Sequence, residues 1–228
     1  MIEIIPTNTC PPDYAELARR SHEFAAFAPV VQLDVADGVF VPALSWPYDN
    51  EGHIEAFNML AETPRLTYEV HLMVERPQGI GEHFARAGAM RIIGHIEAFA
   101  DTQEAKTALE QWKKAGAAEA GIAMLLETPL SSLQPIISSC DVVQLMSIGK
   151  LGYQGALFDS GIFERVRQLH AAYPHLVIEI DGGVSANNVE ELVRAGARRF
   201  GVGSAITKAP DMKVAYEQLK MLAENAVE

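Results

Sequence analysis

The chain has 228 residues, 49% of them apolar, and a formal net charge of -12. That much apolar material supports a sizeable core, and the negative charge argues against nucleic acid and anionic membrane surfaces as main partners. Cys10 and Cys140 make no disulfide framework, which points to a reducing cytoplasm, and the N-terminal stretch reads as neither a signal peptide nor a transmembrane span.

In chain order the pattern alternates strand and helix. A first strand is predicted over 3–6, and a helix from Asp13 with Tyr14, Leu17, Ser21, Phe24 and Ala28 on one face. Strand two covers 30–34, followed by a loop rich in Pro, Gly and aromatics over 38–52 and a helix over 53–62. Strand three covers 66–73, with a helix ending at Ala87. Strand four covers 91–95, and the helix over 102–115 turns Ala105, Ala108, Leu109 and Trp112 inward. Strand five covers 121–125, with a helix carrying Leu130, Leu133, Ile136 and Ile137. Strand six covers 142–146, with a helix carrying Ile162, Phe163, Val166, Leu169 and Tyr173. Strand seven covers 177–180, and Val189, Leu192 and Val193 follow at helical spacing. Strand eight covers 199–202, and a last helix spans 211–222.

A short phrase punctuates this alternation. Arg86-Ala87-Gly88-Ala89, Lys114-Ala115-Gly116-Ala117 and Arg194-Ala195-Gly196-Ala197 each read as a basic last helical turn, a glycine stop and a following buried strand. The glycines are 28 and then 80 residues apart. Eighty is close to three units of about 27, and eight such units fill nearly the whole chain, so the spacing predicts a single-domain (β/α)8 TIM barrel over 1–228. An open doubly wound sheet shares the local pattern and is the second choice.

In such a barrel the C-terminal strand ends form the functional face. Gln32, Asp34, His71, Met73, His95, Met146, Ser147 and Asp181 all fall there, and Gln32 and Asp34 share one face of their strand. Asp34 and Asp181 come from well-separated strands and can face each other across the mouth. Such a pair can take a proton from one face of a carbon and return one to the other. Carboxylates are weak bases toward a carbon acid, so a metal ion or an equivalent stabiliser of an enediolate is wanted. Gly182-Gly183 and Gly203-Ser204 let a backbone approach an anion closely. Taken singly, each of these is more often a turn, a cap or a core residue; their joint placement at one barrel end raises the functional reading. His95 reads as structural, and His22, His53, His83, His170 and His175 as solvent-facing.

Five stretches resemble the ribulose-phosphate 3-epimerase family: Val31-Gln32-Leu33-Asp34-Val35-Ala36-Asp37-Gly38-Val39-Phe40-Val41-Pro42, Val70-His71-Leu72-Met73-Val74-Glu75-Arg76-Pro77, Leu145-Met146-Ser147 with Gly152-Tyr153-Gln154-Gly155, Glu179-Ile180-Asp181-Gly182-Gly183-Val184, and Val202-Gly203-Ser204-Ala205-Ile206. They cover almost the whole chain in the right order. The resemblance implies interconversion of keto-sugar phosphates at C3, with Asp34 and Asp181 as the acid–base pair. It implies a divalent metal, zinc or iron, on Asp34, His71, Asp181 and the position of Gln32. It places Thr7, His71, Met73 and Met146 against substrate, and the backbone near Gly152, Gly155, Gly182, Gly183, Gly203 and Ser204 on its phosphate. A cytoplasmic homo-oligomer is expected with it.

Several positions depart from the family. Gln32 stands where the family has a metal-binding His, Ala36 where it has a Met, and Thr7 where it has a Ser. The strand-six loop reads Ile148-Gly149-Lys150-Leu151-Gly152 in place of an Asn-Pro-Gly run, and Trp46, Pro47 and Tyr48 reshape the loop after strand two. Gln32 is the feature that favours an alternative, a metal-free phosphate-binding barrel without catalysis. A third reading, a decarboxylase-type lyase, wants a lysine on strand three, which here reads Glu69-Val70-His71.

Overall fold

A computed structural model describes residues 1–49, 54, 66–149, 151, 152 and 155–227. Of the helix predicted over 53–62 only Ile54 is described, as an isolated bridge to Tyr48; the rest lies outside the described residues, as do His53, Lys150, Tyr153 and Gln154. Parallel strands β1 (Glu3–Asn8), β2 (Val30–Ala36), β3 (Thr67–Met73), β4 (Arg91–His95), β5 (Glu119–Met124), β6 (Val142–Met146), β7 (Val177–Asp181) and β8 (Arg199–Val202) close into a barrel in chain order. Strand β8 pairs back to β1. The fold is the predicted (β/α)8 barrel.

Outside it lie α1 (Tyr14–Phe24), α2 (Gln78–Arg86), α3 (Thr102–Ala115), α4 (Ile162–Ala172), α5 (Val189–Ala195), α6 (Ser204–Thr207) and α7 (Met212–Asn225). Three of these start where an aspartate accepts from an otherwise orphaned backbone N–H: Asp13 from Glu16, Asp101 from Glu104 and Asp211 from Val214. The stop glycines Gly88, Gly116 and Gly196 have φ of 102°, 131° and 123°, which only glycine adopts at low cost. None of the helices among the described residues is long and apolar enough to cross a membrane.

One predicted helix is corrected. The segment after β5 forms two 3-10 turns, Leu130–Leu133 and Ile137–Ser139. Pro135 lies between them; inside an α-helix it would remove a donor and clash with the preceding turn. Leu133 and Ile136 still reach the core. A second correction concerns His170, which is half-buried against Gly196. Strands β1, β2 and β7 also run further than predicted, to Asn8, Ala36 and Asp181, so Asn8, Asp34 and Asp181 all stay in the sheet.

Strand parity separates two environments. Outward residues such as Val31, Leu33, Val70, Leu72, Val143, Leu145, Ile178 and Ile180 pack under the helices in the main core. Inward residues are largely polar. At the N-terminal end Arg91 bonds Glu3 at 2.7 Å and Glu69 at 3.4 Å, and Arg199 bonds Glu119. Above that floor the register sets Gln32 beside Glu69 and Gln144 beside Glu179; one pleat further up, Asp34 lies beside His71 and Met146 beside Asp181.

Close strand packing leaves Gly121 no room for a side chain: an added Cβ would lie 2.5 Å from the Val142 carbonyl oxygen on β6. Gly121→Ala is therefore expected to destabilise the barrel by about 1–3 kcal/mol. Gly79→Ala, on the open face of α2 with nothing within 4 Å, is the control and should stabilise by up to about 1 kcal/mol. Urea unfolding of the two variants checks both; equal midpoints would show that β5–β6 packing is loose.

Candidate active site

Strands β2, β3 and β7 bring three ionisable groups together at the C-terminal mouth. His71 Nδ1 lies 3.3 Å from Asp34 Oδ1 and 3.3 Å from Asp181 Oδ2. One ligand atom from each of the three residues falls within 4.8 Å of the others, and all three are buried. Gln32 joins from below: its Nε2 donates to Asp34 Oδ1 at 2.9 Å and to Asp181 Oδ2 at 3.2 Å. Gly201 on β8 makes room for the group, since a Cβ there would lie 2.8 Å from Gln32 Oε1 and 3.1 Å from Asp181 Oδ1.

Behind His71 runs a relay through His95, which the sequence alone reads as structural, to Glu97. His71 Nε2 lies 2.9 Å from His95 Nε2, and His95 Nδ1 lies 3.2 Å from Glu97 Oε2. Glu97 also accepts from the Leu125 backbone at 2.9 Å and from the Thr128 hydroxyl. These donors hold Glu97 below the usual carboxylate range although burial pulls the other way. Burial pushes His95 down to about 4, with the adjoining His71 charge adding to it, so His95 is neutral. Its one proton belongs on Nδ1, facing Glu97, and its Nε2 accepts. His71 must then donate through Nε2, which leaves Nδ1 for the two carboxylates.

The charges follow from this arrangement. Burial alone would depress His71, but hydrogen bonds and charges from Asp181 and Asp34 outweigh it and raise the imidazolium to about 9. Burial raises Asp34 above the usual carboxylate range; the His71 bond opposes this and the Asp181 charge reinforces it. Two carboxylate oxygens and an imidazole nitrogen with its second nitrogen tied back form a donor set suited to a divalent cation.

A cavity opens above the group. It is lined by Asp34 and Asp181 and by Thr7, Met73, Met146, Gly152, Gly155, Gly182, Gly183, Gly203 and Ser204, with Thr9, Ile148, Leu151 and Ala156 completing it. His71 is fully buried and does not line it. Met73 and Met146 belong to an apolar cluster with Ala36, Val41, Ile148 and Leu151. Gly182 and Gly183 turn away from β7 with φ of 104° and 67°, and a Cβ on Gly183 would meet the Phe158 backbone at 3.2 Å. Ser147 ties the end of β6 to that turn through the Asp181 and Gly182 carbonyls. Thr7 Oγ1 is buried with no hydrogen-bond partner among the described residues. At the rim, a Cβ on Gly155 would lie 3.6 Å from Lys208 Nζ. His95, Glu97 and Ser147 are the contributors that sequence reasoning gave no role. The available signal was parity, since His95 is an inward strand-end residue like His71.

The profile described as the ribulose-phosphate 3 epimerase family matches residues 5–207. A protein named ribulose-phosphate 3-epimerase from Aquifex aeolicus is 35% identical over 204 residues, covering 88% of this chain and 87% of its own. One of the same name from Escherichia coli is 32% identical over 213 residues, covering 91% and 90%. Among solved structures, 3-keto-L-gulonate-6-phosphate decarboxylase from Vibrio cholerae superposes with a TM-score of 0.71 over 99% of both chains at 12% identity, a likeness of fold alone.

His71 gives the site a pH signature in protein stripped of metal. A pKa raised from 6.5 to about 9 on folding contributes stability that is complete below pH 6.5 and is lost as pH rises through about 9. Histidine NMR titration should show one ring near 9 and the His95 ring neutral down to about 4. Urea midpoints should fall across the same window. A His71 ring titrating at its ordinary value would remove the relay argument.

Proposed function

The chain belongs to the ribulose-phosphate 3-epimerase family, and on that premise we propose that it is an epimerase inverting C3 of a keto-sugar phosphate, working as one catalytic domain. The observation that carries the reading is the pair of buried carboxylates, Asp34 from β2 and Asp181 from β7, meeting a single imidazole at the barrel mouth. A binding barrel has no need of two acids held this way.

The chemistry assigned to each residue follows from position. One aspartate removes the C3 proton from its face of the sugar and the other delivers a proton to the opposite face; the enediolate between the two steps collapses to the inverted centre. Burial makes Asp34 a stronger base than an ordinary aspartate. Asp34, His71 and Asp181 would hold a divalent cation, zinc or iron by the family resemblance, and His71 offers it Nδ1 because Nε2 is committed to His95. A bound cation supplies Lewis-acid stabilisation of the negative charge that develops on the substrate oxygens.

Met73 and Met146 give the reacting carbons apolar walls that neither titrate nor admit water. The orphaned Thr7 hydroxyl has a substrate hydroxyl or carbonyl to bond. Backbone amides around Gly182, Gly183, Gly203 and Ser204, with Gly152 and Gly155 opposite, take the phosphate, and the Lys208 ammonium beside Gly155 suits its charge. A cytoplasmic homo-oligomer completes the reading: the unpaired thiols of Cys10 and Cys140 support the compartment, and resemblance alone supports the assembly.

Deuterium exchange into C3 tests this directly. With pentulose and hexulose phosphates as substrates, the wild type should wash in solvent deuterium at C3 of one of them. Asp34→Asn and Asp181→Asn should each lose about 10²–10⁴-fold. No exchange with any ketose phosphate, together with both Asn variants behaving as wild type, would sink the epimerase in favour of the non-catalytic barrel.

A further inference from the structure

The family resemblance sets a metal-binding His at the position of Gln32. We infer that Gln32 is not a ligand but a hydrogen-bond clamp, locked by Gln144, that fixes the Asp34 and Asp181 carboxylates and leaves this chain a three-ligand metal centre. The inference rests on the metal reading just given and concerns what Gln32 does there.

The carboxamide has two ends, and their neighbours identify them. One end lies 2.9 Å from Asp34 Oδ1 and 3.2 Å from Asp181 Oδ2. Two carboxylate oxygens demand a donor, so that end is the NH2. An amide oxygen there would face two negative oxygens at hydrogen-bonding distance with no proton between them. The other end accepts from Gln144 Nε2 at 3.0 Å, and the second hydrogen of that same nitrogen goes to Glu179 Oε1 at 2.9 Å.

Turning Gln32 round would set its NH2 against the NH2 of Gln144. Gln144 would then have to turn too, placing its oxygen against Glu179. Four hydrogen bonds would have to change together. Gln32, Gln144 and Glu179 are all completely buried, so no solvent can compensate the intermediate arrangement. Register gives the lock its reach: Gln144 lies beside Glu179, two residues before Asp181 on β7. The glycine at position 201 leaves the space in which Gln32 Oε1 sits.

An NH2 group has no lone pair to offer a cation. Among the described residues the donors that remain are Asp34, His71 and Asp181, the number typical of sites that keep positions open for water or substrate. Gln32 acts through the carboxylates and is a positioning residue.

The test uses the full chain with zinc as probe. In a crystal of the zinc-loaded wild type, three protein residues should coordinate the ion, with the Gln32 carboxamide nitrogen still on Asp34 and Asp181. Gln32 oxygen at about 2.0–2.2 Å from zinc would overturn the inference. A second arm needs no metal. The Gln32 side-chain NH2 protons, assigned by their loss in Gln32→Leu, should exchange slowly with solvent, and Gln144→Leu should speed that exchange by about tenfold, the worth of one net hydrogen bond. Rapid exchange in the wild type would remove the lock and the inference with it. Should zinc fail to bind at all, the metal reading falls, while the clamp is judged on exchange alone.

Discussion

Two carboxylates buried at one mouth repel each other, and the rest of the site is arranged around that fact. At the 4.8 Å that bounds the ligand atoms of Asp34, His71 and Asp181, two unit charges in a medium of effective dielectric about 20 cost about 3.5 kcal/mol. Solvent does little to relieve this, because Asp34 and Asp181 are only 5% and 9% exposed. The relief is internal. His71 places one nitrogen between the two acids, and Gln32 places an NH2 between them from below. A cation bound there and a protonated imidazole answer the same electrostatic demand, which is why the donor set reads as a metal centre and as a high-pKa histidine at once.

The barrel divides its labour by strand parity. Outward side chains supply the apolar contacts that hold strands to helices. Inward side chains form a polar column from the Arg91 and Arg199 floor through Glu69, Glu179, Gln144 and Gln32 to the acids. Buried ion pairs and amides of this kind contribute little net stability. Their value lies in orientation, since each buried donor has few acceptors and each choice constrains the next. The Gly121 contact with β6 shows the complementary constraint, two strands packed too closely to admit a Cβ between them.

Much of this was legible in the sequence. Glycine stops 28 and then 80 residues apart, near multiples of one unit, carried the barrel, and β4, β6 and β8 have the bounds that the apolar runs predicted. Parity put Gln32 and Asp34 on one face, and they share it. The predicted helix after β5 failed because apolar periodicity persists through Pro135 even though the backbone cannot follow it. The relay escaped for a different reason. His95 and Glu97 are separated from His71 by more than 20 positions in the chain, and neither is exceptional alone. Only the β3–β4 register, which sets Ile93 beside His71, brings the two rings within reach. Side-chain tautomers and amide orientations are set by such neighbours, and a one-dimensional pattern does not contain them.

Relay and clamp are two solutions to one problem. An imidazole can ligate through either nitrogen, and a carboxamide can present either end, so each needs an outside reference to fix its direction. For His71 that reference is Glu97, acting through His95 and itself fixed by Leu125 and Thr128. For Gln32 it is Glu179, acting through Gln144. Both references are acidic side chains, each acting through one intervening residue: Glu97 is held below the usual carboxylate range, and burial beside Glu69 pushes Glu179 well above it. Neither reference lines the cavity. The cavity wall and the apolar cluster beside it can therefore vary, as Thr7, Ala36 and the loop after β6 do from the family pattern, while the polarity of the site stays fixed from behind. A His at position 32 would give the clamp up for a fourth ligand. This chain keeps the clamp, and with it a centre whose carboxylates are held in place before any cation or sugar arrives.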